Sequence, residues 1–262
     1  MGLLNLFGTK KSYLKSGLLY GMTDIHSHIL PGVDDGIKTY EKSVKTLHWL
    51  KEKGIRRMYL TPHVMSDLQK NTRIYLTEQF NAFIKRLEED KVEDIPVLKL
   101  GSEYMLEAAF EKHREEGLIT YADRHVLVET SYMLPPAGFT RILEKLMEDG
   151  YSPILAHPER YNYMDEHDYK YLKSQGVLFQ LNYLSLTGTY GQYAKEKGAQ
   201  LLKNGYYDYA GSDFHHLKHH KNSFTAKTLT RKQQLAIREL FENNNRLWSK
   251  NDEVNISYGS AT

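Results

Sequence analysis

Residues 23–36 read TDIHSHILPGVDDG. His26 and His28 stand one residue apart, and Asp34 and Asp35 follow within seven residues. Imidazole and carboxylate are the groups that hold divalent metals. More of the same types are scattered downstream: His63 in TPH, Glu103 in GSEY, Glu129 in LVETSY, His157 in AHPER, and Asp213 with His215 in SDFH. A lone histidine would be unremarkable in a core. An acid inside an apolar run is different, because burying an unpaired carboxylate is costly. Glu103, Glu129 and Asp213 therefore need a cation: a lysine, an arginine or a metal. Five histidines in the same set point to metal.

The donor types narrow the ion. Imidazole and carboxylate without sulfur suit manganese, iron or zinc, and the set is too rich in histidine for calcium or magnesium. Four carboxylates (Asp35, Glu103, Glu129, Asp213) and five histidines (26, 28, 63, 157, 215) over-supply two metals and fit three, with one carboxylate as a bridge. Three divalent ions outweigh four carboxylates, so such a cavity stays positive and attracts a phosphate dianion. It also supplies its own nucleophile, because metal binding brings the pKa of water toward neutral. Arg160, three residues after His157 in HPER, has the planar fork that matches phosphate oxygens.

Groups this far apart meet only if the fold gathers them. Short apolar runs recur at 22–26, 55–61, 96–103, 125–130, 153–157, 177–183 and 206–213. Each is short enough for a buried strand. Between them lie helical stripes, such as Leu76, Phe80, Phe83, Ile84 and Leu87, or Phe139, Ile142, Leu143, Leu146 and Met147. Gly54, Gly150, Gly176 and Gly205 sit where helix stops belong. Alternating strands and helices imply parallel pairing. Seven strands suggest a closed or nearly closed α/β barrel, with a doubly wound open sheet as the fallback. In parallel barrels the active site lies at the carboxyl ends of the strands, which is where the ligand-type residues fall. The reading is one barrel domain over 22–262, with a last helix near 230–244 outside the barrel and residues 1–21 as an N-terminal arm.

Composition excludes several classes. Among 262 residues the net charge is +2, too even for a nucleic-acid binder. There is no cysteine, so disulfides, zinc–thiolate sites and cysteine nucleophiles are excluded. No apolar run approaches a membrane span, and the start of the chain lacks a secretory signal. The expected location is the cytoplasm. The arm carries Lys10, Lys11 and Lys15; it is read as loose or packed on the barrel's underside, with peripheral contact to a membrane surface as the alternative. His216, His219 and His220 are read as a solvated loop.

The stretches DIHSHILPGVDDG, TPH, GSEY, LVETSY, AHPER and GSDFH run in order from 24 to 215. In them the chain resembles the PHP superfamily, and most closely its bacterial tyrosine-phosphatase branch, the capsular and exopolysaccharide regulators. The resemblance implies a distorted seven-stranded (β/α)7 barrel, three divalent metals with manganese first and iron or zinc as alternatives, and hydrolysis of phosphotyrosine. It implies that His26, His28, Glu103 and Asp213 hold one metal, that Glu103, Glu129 and His157 hold a second, and that Asp35, His63 and His215 hold a third. Spacing alone does not separate Asp34 from Asp35; the family pattern favours Asp35. Arg160 would bind phosphate, with Asp213 and His63 the other catalytic residues. The implied partner is the tyrosine-rich tail of a bacterial tyrosine kinase, met by loops 132–138 and 182–193. Two other readings are a small-molecule phosphomonoesterase such as a histidinol phosphatase, and a non-catalytic phosphotyrosine-binding module.

Overall fold

A computed structural model describes residues 9–255, apart from the side chains of Asp123, His219 and residues 249–255. Residues 1–8, the start of the expected arm, lie outside the described residues. After a short helix α1 (Tyr13–Ser16), the chain alternates strands and helices. First come β1 (Thr23–Asp24), α2 (Tyr40–Glu52), β2 (Arg57–Leu60), β3 (His63–Val64) and α3 (Arg73–Glu89). Then follow β4 (Val97–Leu100), β5 (Glu103–Met105), α4 (Phe110–Glu116), β6 (His125–Glu129), α5 (Phe139–Glu148), β7 (Ser152–Ala156) and α6 (Glu166–Ser174). Last are β8 (Leu178–Asn182), α7 (Gly191–Lys203), β9 (Tyr209–Gly211), α8 (Leu217–Thr225) and α9 (Arg231–Asn255). The helix starts follow ordinary capping chemistry: Thr39 and Thr72 accept from Lys42 N and Tyr75 N. The four expected glycine stops all have positive φ.

Among the described residues the pairings between these strands are all parallel, in two sheets ordered β1–β2–β4 and β3–β5–β6–β7–β8–β9. The run 55–61 holds one strand, β2, with a second short strand, β3, resuming beyond it after Pro62; the run 96–103, read as one strand, is broken into β4 and the start of β5. Pro62 has no N–H to give a ladder, and the pairing is passed on instead. Thr61 N donates to Ser27 O at 2.7 Å, Gly101 N to Leu60 O at 2.8 Å and Glu103 N to Pro62 O at 3.1 Å. A parallel bridge between Ser27 and Phe214 joins the segment after β1 to the segment after β9.

Side chains alternate along a strand, so each strand feeds two layers. Val126, Val128, Leu155, Phe179 and Leu181 belong to the large core shared with the helices. Ile25, Tyr59, Leu127, Ile154 and Ala156 form a second cluster, completed by Leu247 and Trp248 of α9. The last helix is thus longer than the expected 230–244 and is not simply outside. Asn244 donates to Thr23 O and Ala210 O, fastening α9 to β1 and β9. The polar run NNNR had hidden that contact. Residues before β1 are also fastened: Tyr13 is buried and its hydroxyl donates to Tyr183 O at 2.5 Å, while Lys11 bridges to Leu229.

Candidate metal centre

The inner layer turns polar toward the strand ends. Leu127 and Glu129 share one face of β6, and Leu178, Gln180 and Asn182 share one face of β8. Apolar residues fill the first positions and ligand-type residues the last.

Three groups of ligand atoms result. In the first, His26, His28, Glu103 and Asp213 are all buried. The two Nε2 atoms are 3.1 Å apart; Glu103 Oε2 lies 3.1 and 3.3 Å from them, and Asp213 Oδ1 3.5 and 3.4 Å. In the second, His63 Nδ1 lies 3.1 Å from Glu103 Oε2 and 2.9 Å from Glu129 Oε1. His157, the expected histidine here, reaches the same carboxylates, with Nε2 3.1 Å from Glu103 Oε1 and 3.8 Å from Glu129 Oε2. In the third, Asp35 Oδ1 lies 3.5 Å from His63 Nε2 and 3.4 Å from His215 Nε2, with His28 alongside. All nine expected residues are brought together. The difference from expectation is His63, which offers one ring nitrogen to the second group and the other to the third.

Asp34 and Asp35 face different ways. Asp34 is buried; its Oδ2 accepts from His28 Nδ1 at 2.8 Å and from His63 N at 3.2 Å, and its Oδ1 accepts from Gly36 N. It turns the bare Nε2 of His28 toward the first group. Gln180 does the same for His26, accepting from Nδ1 at 2.8 Å. Such partners fix the tautomer and orientation of a ligand imidazole. Asp35, with its side chain 71% exposed, faces His63 and His215 instead.

The backbone is tightened around these side chains. His157 sits at φ 34° and Asp213 at φ 52°, in the left-handed region that non-glycine residues avoid. His157 also precedes Pro158, which disfavours that region further. A Cβ on Gly36 would lie 2.1 Å from His28 O, and one on Gly211 2.5 Å from His26 Cβ.

The residues fit divalent cations. Glu103 Oε2, Glu129 Oε1 and His63 Nδ1 are buried without a hydrogen bond, although their neighbours are within about 3 Å. Buried polar atoms are normally bonded, so these face a shared space rather than one another. Charge agrees. Burial pushes the Glu103 carboxyl up, yet His26 and His63 beside it hold it well below the usual range. Burial and His28 press His63 down, but Glu103 and Glu129 outweigh them and lift it to about 9. Without a metal, the carboxylates draw protons onto the imidazoles.

Arg160 lies beside the first group, in the turn Pro158–Arg160 that follows β7. Its Nη1 donates to Asp213 Oδ2 at 2.6 Å, and its guanidinium is 4.4 Å from the ring centres of both Tyr132 and Tyr190. Glu159 pins the turn from behind, accepting from Asn182 N, Ser185 Oγ and Tyr207 OH. A cavity of about 410 Å³ opens here, with Asp35, His63, His157, Arg160 and His215 in its wall. From the two expected groove loops, Tyr132 and Tyr190 reach this cavity, whereas Tyr183, Leu184 and Leu186 are core.

Several contributors had no role assigned from the sequence: Gln180, Asn182 and Glu159, the last although it stands inside HPER. His220 corrects an expectation. It is not on a solvated loop but inside α8, 4% exposed, with its ring 4.6 Å from that of Phe214. Its Nδ1 donates to His216 O, and its Nε2 accepts from Tyr190 OH at 3.2 Å. Burial pushes its pKa down to about 4. The side chain of His219 lies outside the described residues. A further acidic group, Asp165, His167 and Asp168, is explained by the capping box of α6.

The model of a family described as capsular polysaccharide synthesis, CpsB/CapC, matches residues 22–247. The chain is 30% identical over 202 residues to tyrosine-protein phosphatase YwqE of Bacillus subtilis (strain 168), covering 75% of this chain and 78% of that protein. It is 28% identical over 209 residues to tyrosine-protein phosphatase CpsB of Streptococcus pneumoniae, covering 75% and 84%. A crystal structure from work on YwqE and CpsB, described as unique metal-dependent tyrosine phosphatases, superposes with TM-score 0.73 at 24% identity, over 87% of this chain and 95% of the other. That match establishes the fold. A probable 2-pyrone-4,6-dicarboxylic acid hydrolase from Acinetobacter baumannii shares it more distantly, with TM-score 0.51 at 14% identity over 87% of this chain and 99% of the other.

Proposed function

This chain belongs to the capsular polysaccharide synthesis CpsB/CapC family, and on that premise we propose that it is a metal-dependent protein-tyrosine phosphatase. One observation carries the reading. Nine imidazole and carboxylate side chains come together at one end of the sheets, five of them (Asp35, His63, His157, Asp213 and His215) in the wall of one cavity and the other four buried against them, and Arg160 stands in that wall between two tyrosine rings.

His26, His28, Glu103 and Asp213 would hold one divalent ion. Glu103 and Glu129, with His157 and His63 beside them, would hold a second. Asp35, His63 and His215 would hold a third. Manganese is the first choice and iron or zinc the alternatives. Bound there, the ions supply Lewis-acid polarisation of the phosphoryl group and an activated water. The protein's own part is placement. Arg160 receives phosphate oxygens with a guanidinium already desolvated and fixed in plane. Asp213 orients Arg160 and, with His63, is assigned a catalytic part because both touch the reacting region. Tyr132 and Tyr190 frame an entrance suited to an aromatic ring. The leaving tyrosinate has a conjugate acid near pKa ~10, so it needs little proton help.

Among the described residues the nine strand segments lie on seven passes of the chain, which supports the reading as a distorted (β/α)7 barrel of PHP type. The proposed substrate is the tail of a bacterial tyrosine kinase serving capsule or exopolysaccharide synthesis, met in the cytoplasm. No described helix is long and apolar enough to cross a membrane. Phosphate release from a phosphotyrosyl peptide, a phosphoseryl peptide and histidinol phosphate, with manganese present, tests the reading. The phosphotyrosyl peptide should be turned over fastest. Preference for histidinol phosphate, or tight binding of the peptide without turnover, would reject it.

A further inference from the structure

A second cavity of about 620 Å³ adjoins the catalytic one, and His216 stands in the wall of both. Lys38, Lys42, Lys45, Lys218 and Lys221 surround it, and no carboxylate does. Among the described residues none of these five lysines pairs with an acid; Lys38 donates to the backbone oxygen of Asp34. The whole chain carries only +2, so this concentration of charge is local.

Two of the five lysines also stand where helix physics disfavours them. Lys42 lies in the first turn of α2 and Lys218 in the first turn of α8, at the positive ends of the two macrodipoles. The first turn of α8 has no acid, and Glu41, the one acid in the first turn of α2, is engaged with Arg86. Like charges gathered against a dipole weaken the fold locally unless something anionic meets them.

We propose that this lysine-lined cavity receives acidic side chains that flank the phosphotyrosine in the substrate polypeptide. The proposal rests on the phosphatase reading of the neighbouring cavity and deepens it. The shared His216 wall puts the anion-receiving surface a short chain distance from the phosphate site. Its concave shape, with no large exposed apolar side chain in its wall, suits a peptide better than a lipid surface.

The test uses the whole metal-loaded protein and two phosphonate analogues of a phosphotyrosyl peptide, one with acidic and one with neutral flanks. Affinities are measured for the unaltered chain and for Lys42→Glu/Lys45→Glu and Lys218→Glu/Lys221→Glu, all at exposed positions. The acidic peptide should bind about tenfold tighter, with the difference shrinking in raised salt and vanishing in both variants. Equal affinity for the two peptides, or a preference that survives both reversals, would overturn the proposal. So would loss of binding to phosphatidylglycerol vesicles in the variants with peptide preference intact, which assigns the lysines to a membrane. Phosphate release from the neutral phosphotyrosyl peptide is read separately. If it is absent while the acidic preference holds, the phosphatase reading fails and the docking surface stands.

Discussion

Arg160 donates from Nη1 to Asp213 Oδ2 at 2.6 Å, while Asp213 Oδ1 faces His26 and His28 at 3.5 and 3.4 Å. One carboxylate therefore couples Arg160, the proposed phosphate-binding arginine, to the first candidate ligand group. Arg160→Ala should lower kcat/KM for a phosphotyrosyl peptide about 10²- to 10³-fold, the loss typical of removing one preorganised donor. Arg160→Lys should recover only part, because a point charge does not replace a planar fork. Steady-state kinetics check this; a lysine variant equal to the unaltered chain would contradict it.

Asp34 and Asp35 should separate by experiment. Asp34 holds His28 Nδ1, so Asp34→Asn should weaken metal binding about 10- to 100-fold without removing a ligand. Asp35→Asn should remove about one equivalent of bound metal, because it takes a member from the third group only. Competition titration with a metal indicator reads both.

Close packing around the histidines predicts a steric effect. Gly36→Ala would drive a methyl into the backbone of His28. It should cost about 1–3 kcal/mol of stability and reduce metal affinity together. Trp248→Ala, on α9 in the inner apolar cluster and in none of the three ligand groups, should cost about 3–5 kcal/mol while leaving metal stoichiometry unchanged. Thermal unfolding with elemental analysis distinguishes the two patterns.

Metal removal should create a pH dependence. In the metal-free chain His63 titrates near 9, above the ordinary histidine value of 6.5. A raised folded pKa stabilises fully below the unfolded value and loses that contribution as pH rises through the folded one. The chelator-treated protein should therefore lose stability between about pH 6.5 and 9, by at most about 3 kcal/mol from this group. Manganese added near pH 8 should restore it and release protons. A melting temperature that stays flat or rises over that window would contradict this.

Most of the candidate site was legible because ligand chemistry confines residue types: the imidazoles and carboxylates lie at or just beyond the ends of parallel strands, apart from Asp35 in the loop between β1 and α2. The strand runs were legible from apolar content, but the short strand resumed after Pro62 and the break at Gly101 were not, since pairing there passes to neighbours distant in sequence. The roles of Gln180 and Glu159 were not legible, although Glu159 stands inside HPER, because they exist only through contacts made across the fold. His220 was misread because a polar run of histidines and lysines gives no sign that one ring is buried against Phe214. The cap formed by Leu247 and Trp248 was missed because a helix rich in asparagine shows no apolar stripe.

The most direct measurement is phosphate release from a phosphotyrosyl peptide by protein stripped of metal and then titrated with manganese, with bound metal counted at each step. Turnover should be absent in the stripped protein, rise with metal to a plateau near three equivalents, and stay absent in Asp213→Asn and His63→Ala at every metal level. Full turnover by the stripped protein, or normal turnover by either variant, would contradict the metal-dependent phosphatase.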